Sequence, residues 1–187
     1  MIRILAFAVA LTVLAPLTPP AAAQTGEAYS PARAFEAFAP LIGRTWRGTG
    51  TGPDGRPVED VARWEWAVGG HAVRVVHAVN GGTYGGDTLI GRDQTGYFFH
   101  YFTNGGFHTT GTITSERPGV FVIEQTVHGG PPMQLRSQCE MGADGVYRVR
   151  TSRLVDGEWK PVGGFDYRED PGANADLPLP PGTDTPG

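Results

Sequence analysis

The sequence predicts an all-β fold: about ten antiparallel strands closing into an up-and-down barrel, with a short N-terminal helix. Three observations predict it. From Trp46 to Tyr167, apolar and polar residues alternate with period two in short runs. Gly, Pro and Asp clusters separate those runs, among them Pro53-Asp54-Gly55, Gly81-Gly82, Asn104-Gly105 and Asp156-Gly157. Nearly every break is short enough for a hairpin, which favours strands that neighbour in sequence over Greek-key crossovers. No long helical pattern lies between the runs, so a parallel sheet, which needs crossover connections, is not expected.

The elements follow in chain order. Residues 1–23 read as a secretory signal peptide: Arg3 as the basic start, Ile4 to Leu17 as an apolar run, Pro19-Pro20 as a break, and Ala21-Ala22-Ala23 as the small residues of a cleavage site. The run is shorter than the roughly 20 residues a helical bilayer span needs. A periplasmic or secreted protein is expected, without membrane insertion once the signal is removed. Residues 24–30 form a polar leader. Ser30-Pro31 opens a helix, since Ser caps well and Pro suits the first helical position. Phe35, Phe38 and Leu41-Ile42 recur at helical spacing, and Gly43 ends the element. The barrel domain spans 31–170. Residues 171–187, rich in Pro, Gly and Asp, read as a disordered tail.

Hairpin lengths predict which residues face inward, because residues opposite each other share a face. In the strand from Val58 to Val68, Ala62, Trp64, Trp66 and Val68 share one face, and the tryptophans place it inside. A Gly69-Gly70 turn carries that face to His71, Val73, Val75, His77 and Val79. A Gly81-Gly82 turn carries it to Tyr84, Gly86, Thr88 and Ile90. A five-residue loop, Arg92 to Gly96, then places Phe98, His100 and Phe102 inside. A two-residue Asn104-Gly105 turn carries the face to Phe107, Thr109, Gly111 and Ile113. A three-residue loop at Asn104-Gly105-Gly106 turns His100 outward instead, provided Phe107 stays in. Beyond it Phe121, Ile123 and Val127, then Met133, Leu135, Ser137, Cys139 and Met141, then Tyr147, Val149 and Thr151, and finally Trp159, Phe165 and Tyr167 face inward.

The net charge of −4 and the lack of a basic run make a nucleic-acid partner a poor fit. The single cysteine, Cys139, cannot form an internal disulfide, so the core holds by burial. Cys139 itself reads as a small buried hydrophobe.

The candidate ligand-binding residues are Trp64, Trp66, His71, His77, Tyr84, Phe98, His100 and Phe102. Small-molecule sites are mostly apolar with a few convergent polar groups, and an aromatic barrel carrying imidazoles fits a small apolar or aromatic ligand. A filled core is the alternative, its histidines bonded to Thr88, Thr109 or Ser137. No metal site is expected: His71 and His77 are separated by about 20 Å at the usual strand rise, and no His-x-His or Cys-x-x-Cys occurs. No catalytic residue is assigned, since Ser137 and Ser152 lack a nucleophile elbow and the glycine pairs do not lead into helices. A binding module is therefore read ahead of an enzyme, with a structural or partner-binding envelope protein, tethered by its tail, as the third reading.

The segment Leu41-Ile42-Gly43-Arg44-Thr45-Trp46-Arg47-Gly48-Thr49-Gly50 resembles the opening of calycin-like barrels, particularly the nitrobindin-like group, in which a short helix precedes a G-x-W-x-G-x-G strand. Trp46, Gly48 and Gly50 match, with one extra residue between Gly43 and Trp46. Together with Trp64-Glu65-Trp66, Gly69-Gly70-His71 and Tyr101-Phe102-Thr103, the chain from Phe35 to Asp170 also looks like small lipocalin-like bacterial proteins. The resemblance implies a calycin-like barrel and, from the nitrobindin-like group, haem as a cofactor held by a C-terminal histidine. No His follows His128 here, so a haem ligand would have to be His71, His77 or His100.

Overall fold

The computed structural model describes residues 28–52 and 55–179; the segment expected to be a signal peptide, most of the expected leader and the end of the expected tail lie outside them. Ten strands run in sequence: β1 (Arg44–Thr51), β2 (Pro57–Ala67), β3 (Ala72–Val79), β4 (Tyr84–Asp93), β5 (Gly96–Thr103), β6 (His108–Arg117), β7 (Val120–His128), β8 (Met133–Met141), β9 (Tyr147–Val155) and β10 (Glu158–Glu169). Each pairs antiparallel with its neighbours in sequence, and β1 pairs with both β2 and β10. The sheet is a closed barrel with no free edge. Closure satisfies every strand's backbone groups without a second sheet.

The N-terminal segment plugs one end. Ser30 caps a single helical turn, α1 (Pro31–Ala34), its Oγ accepting from the Arg33 amide, and a 3-10 turn, Glu36–Phe38, follows. The helix expected up to Gly43 is shorter than its apolar spacing suggested. Barrel contacts take over instead: Tyr97 Oη and Arg92 donate to the Ala34 carbonyl, and the Gly119 amide donates to that of Ala37. Phe35, Phe38 and Leu41 are fully buried. The Phe38 ring meets Tyr97 at 5.0 Å, Phe121 at 5.2 Å and Trp64 at 5.8 Å. Trp46 donates its indole N–H to the Leu41 carbonyl at 3.4 Å, tying the plug to β1.

The inward faces follow the predicted parity on every strand except β5 and the first half of β10. Trp66 lies opposite Val73 and Val79 opposite Tyr84, as hairpin counting required. On β5 the predicted set is wrong. Asp93 pairs with Gly96, so the β4–β5 connection is a tight two-residue turn, and Ile90 faces Phe99 rather than Phe98. Asp93 stabilises that turn by accepting from the Thr95 amide and hydroxyl. Tyr97, Phe99 and Tyr101 therefore point inward, while Phe98, His100 and Phe102 point out. The next connection is the three-residue Asn104-Gly105-Gly106 loop, closed by the Thr103 amide on the Phe107 carbonyl. Gly106 supplies the positive φ of 79° that this loop needs. The two parity changes cancel, which is why Thr109 and Ile113 on β6 are buried as predicted. On β10 a bulge between Pro161 and Gly163 reverses the earlier half of the strand. Trp159 therefore lies outside, under the Arg136 guanidinium at 4.2 Å.

The outer wall carries cross-strand ion pairs, among them Arg74–Asp87 at 2.6 Å, Arg136–Glu124 at 2.6 Å and Arg47–Asp170 at 2.7 Å. No helix among the described residues is long and apolar enough to cross a membrane. The tail departs from expectation over its first part. Residues 171–179 run along the wall outside β2, β3 and β4. Ala175 is fully buried against Val61 and Val76, and Asp176 reaches Arg63 at 3.5 Å. Its Pro and Gly content suits an extended strap as well as a disordered chain, and only the outward apolar patch of Val61 and Val76 distinguishes the two.

Candidate functional site

The barrel interior holds a cavity of about 270 Å³. Its apolar lining includes Trp64, Val75, Ile90, Phe99, Ile113, Ile123, Val149 and Phe165. Thr88, Gln125, Ser137 and Thr151 add polar positions, with Ser137 and Thr151 hydrogen-bonded to each other at 2.9 Å. The interior is thus neither a solid core nor a polar channel.

The polar groups that stand out are linked in one chain. Asp60, on β2, is 2 % exposed. Its Oδ2 accepts from the Tyr167 hydroxyl at 2.6 Å, and its Oδ1 lies 3.0 Å from Nδ1 of His77 on β3. His77 Nε2 lies 2.6 Å from the Tyr101 hydroxyl, which is 3.1 Å from that of Tyr84. Five side chains from β2, β3, β4, β5 and β10 therefore form one continuous hydrogen-bonded network. Among the described residues, no buried side-chain polar atom lacks a partner.

Two glycines make this geometry possible. Asp60 lies opposite Gly48, and Gly48 lies opposite Tyr167. A Cβ on Gly48 would come within 2.5 Å of the Tyr167 ring, so only glycine lets that ring cross β1 to reach the carboxylate. Gly86 lies opposite His77 in the same way, and a Cβ there would come within 2.5 Å of the Tyr101 ring. At this site Gly48 provides room for an aromatic bridge.

Electrostatics sort the members. Burial raises the Tyr101 phenol far above an ordinary tyrosine, reinforced by its bond to Tyr84 and the charge of Asp60. Burial, followed by the Asp60 charge, does the same to Tyr167. Burial also raises Tyr84, partly opposed by its bond to Tyr101. All three are hydroxyl donors rather than phenolates. Burial pushes the Cys139 thiol up to about 12, so this cavity-lining sulfur stays protonated and unreactive.

The structure separates the predicted site residues. Trp64 and His77 line the cavity, and Tyr84 extends the polar network. Trp66 shares their face but sits at the plugged end, 44 % exposed, edge-on to Phe35. His71 is exposed in the Val68-Gly69-Gly70-His71 turn, stacked on Tyr29 at 4.2 Å. Phe98, His100 and Phe102 are on the outer surface; Phe102 is 60 % exposed and stacks on His108. Asp60 and Tyr101 were missed. Extending the tryptophan face two residues back from Ala62 reaches Asp60, and the correct β4–β5 turn length reaches Tyr101.

Haem, the cofactor implied by the nitrobindin-like resemblance, does not fit these residues. His71 and His100 are outside the barrel, and both ring nitrogens of His77 are engaged by Asp60 and Tyr101. The cavity is also below the usual 300–1,000 Å³ of drug-sized sites, whereas a porphyrin is a large ligand. Neither a model of a known protein family nor a curated protein matches this chain.

Proposed function

We propose that this chain is an exported, calycin-like binding protein that carries a small apolar or aromatic ligand inside its barrel. The observation that supports this most strongly is the cavity itself: about 270 Å³, walled by aromatic and aliphatic side chains and bordered by one hydrogen-bonded polar chain. Burying apolar ligand surface contributes about 25 cal/mol per Å², so the walls provide affinity and the polar chain orientation. The Arg3, apolar run and Ala21-Ala22-Ala23 pattern supports a periplasmic or secreted location.

Trp64, bordering the cavity and only 6 % exposed, is the reporter. Titration with a panel of small aromatic and aliphatic compounds should shift or quench tryptophan emission, and Trp64→Phe should abolish most of that response. Emission unchanged by the whole panel would contradict a binding role. N-terminal sequencing of the exported protein tests the location, with Gln24 as the expected first residue.

A further inference from the structure

We infer that the cavity takes a neutral carbonyl compound, its oxygen held between the Trp64 indole N–H and the Thr88 hydroxyl, its apolar or aromatic body against the aliphatic wall. The inference rests on the binding role proposed above and deepens it by naming the ligand class and two specificity-determining residues.

Hydrogen bonds around the cavity single out these two side chains. Asp60 is occupied by Tyr167 and His77, His77 reaches Tyr101, and Tyr101 donates to Tyr84. Ser137 and Thr151 bond each other, and Gln125 is tied to Thr109 at 3.4 Å. Trp64 and Thr88 also border the cavity, and among the described residues neither side chain has a hydrogen-bond partner. Their polar atoms are not sealed into the wall, because no buried side-chain polar atom among the described residues lacks a partner. Both residues face inward, so the space that reaches the Trp64 N–H and the Thr88 O–H is the cavity. A donor left without a partner once a ligand has displaced solvent costs free energy. A fitting ligand therefore supplies that partner.

Sheet register brings the two together. Trp64 lies opposite Val75 on β3, and Val75 lies opposite Thr88 on β4. The three inward side chains form one row across adjacent strands, which puts the Cα atoms of Trp64 and Thr88 roughly 10 Å apart. Val75, between them, is short and offers no competing acceptor. The long indole and the hydroxyl can therefore reach one oxygen from two sides.

Donor and acceptor chemistry then sets the ligand class. An indole N–H only donates, whereas a threonine hydroxyl donates or accepts. Their common partner is an acceptor, and a carbonyl oxygen has two lone pairs for two donors. A hydrocarbon leaves both donors without a partner. A carboxylate is disfavoured, because no Lys or Arg among the described residues borders the cavity and the Asp60 carboxylate already stands in its wall. Ile113, Ile123, Val149 and Phe165 supply apolar surface for the rest of the molecule.

The test uses three probes: acetophenone; α-methylstyrene, the same shape with a CH2 group in place of the carbonyl oxygen; and benzoate. Equilibrium dialysis measures binding of each to the parent protein, to Thr88→Val and to Trp64→Phe. Each substitution removes one donor and keeps an apolar side chain in its place. The expected result is that each variant weakens acetophenone, relative to α-methylstyrene, by about threefold to tenfold, the worth of one neutral hydrogen bond. The hydrocarbon reports any change in packing or stability, so the ratio of the two isolates the contacts of the oxygen. Benzoate should bind at least about tenfold more weakly than acetophenone. A ratio that stays unchanged in either variant overturns the inference and leaves the binding role standing, as does benzoate that binds as tightly as acetophenone. Failure of all three probes to bind the parent protein overturns the inference and counts against the binding role as well.

Discussion

Asp60→Asn replaces a buried acceptor with an amide of the same shape, and its cost can be worked from two hydrogen bonds. The carboxylate accepts from Tyr167 at 2.6 Å and pairs with His77 at 3.0 Å, with only 2 % of the residue exposed. The amide keeps one oxygen and turns an NH2 toward the other partner. If it faces Tyr167, two donors meet; if it faces His77, the imidazole adopts its other tautomer, its Nε2–H donating to Tyr101, which donates to Tyr84. A hydrogen bond to a charged group contributes about 1.5–3 kcal/mol against about 0.5–1.5 for a neutral one, and both bonds of Asp60 lose that charge assistance. The expected destabilisation is about 2 kcal/mol, or about 4–8 °C in Tm for a domain of this size. Urea and thermal unfolding followed by circular dichroism measure it. Tyr167→Phe, which removes one donor, should cost about 1 kcal/mol, and the double variant less than the sum, because both changes act on the same bond. An Asp60→Asn protein as stable as the parent, or strictly additive effects in the cycle, would refute the reading of Asp60 as the common acceptor of this network.

Gly86→Ala should cost at least about 1–3 kcal/mol, as overpacking does, and should weaken aromatic ligand binding in dialysis, because its methyl group overlaps the Phe102 carbonyl oxygen and the Tyr101 ring and forces both to shift. Phe38→Ala removes a ring fully buried in the plug and should cost about 3–5 kcal/mol in urea unfolding. Cys139, with its thiol held near 12, should resist alkylation at neutral pH in the folded protein and react promptly in denaturant; mass spectrometry distinguishes the two. His100→Ala and Phe102→Ala, both on the outer wall, should leave ligand affinity unchanged and stability within about 0.5 kcal/mol.

Strand number, antiparallel order and most facing were legible because period two ties each side chain to its neighbours. Trp64 and Trp66 identify one inward face, and short hairpins transmit it to Val73, Val79 and Ile90. The transmission fails wherever loop length is ambiguous. Arg92 to Gly96 reads equally well as a five-residue loop or as two strand ends around a two-residue turn, and the choice inverts β5. That inversion exchanges His100 for Tyr101 at the site. The bulge after Pro161 carries no mark beyond a glycine pair, Gly163-Gly164, so Trp159 was placed on the wrong side.

Alternating hydrophobicity and glycine-rich turns, read from the chain alone, determine a closed antiparallel barrel, because each is a local property of a strand or hairpin. Which side chains meet inside is not local. Tyr167 reaches Asp60 across a sequence separation of 107 residues, by way of a strand that carries glycine at the crossing point. That meeting depends on barrel closure, which pairs β1 with β10 and brings the first and last strands into the same polar network. Only the tertiary structure decides it, and with it the identity of the site.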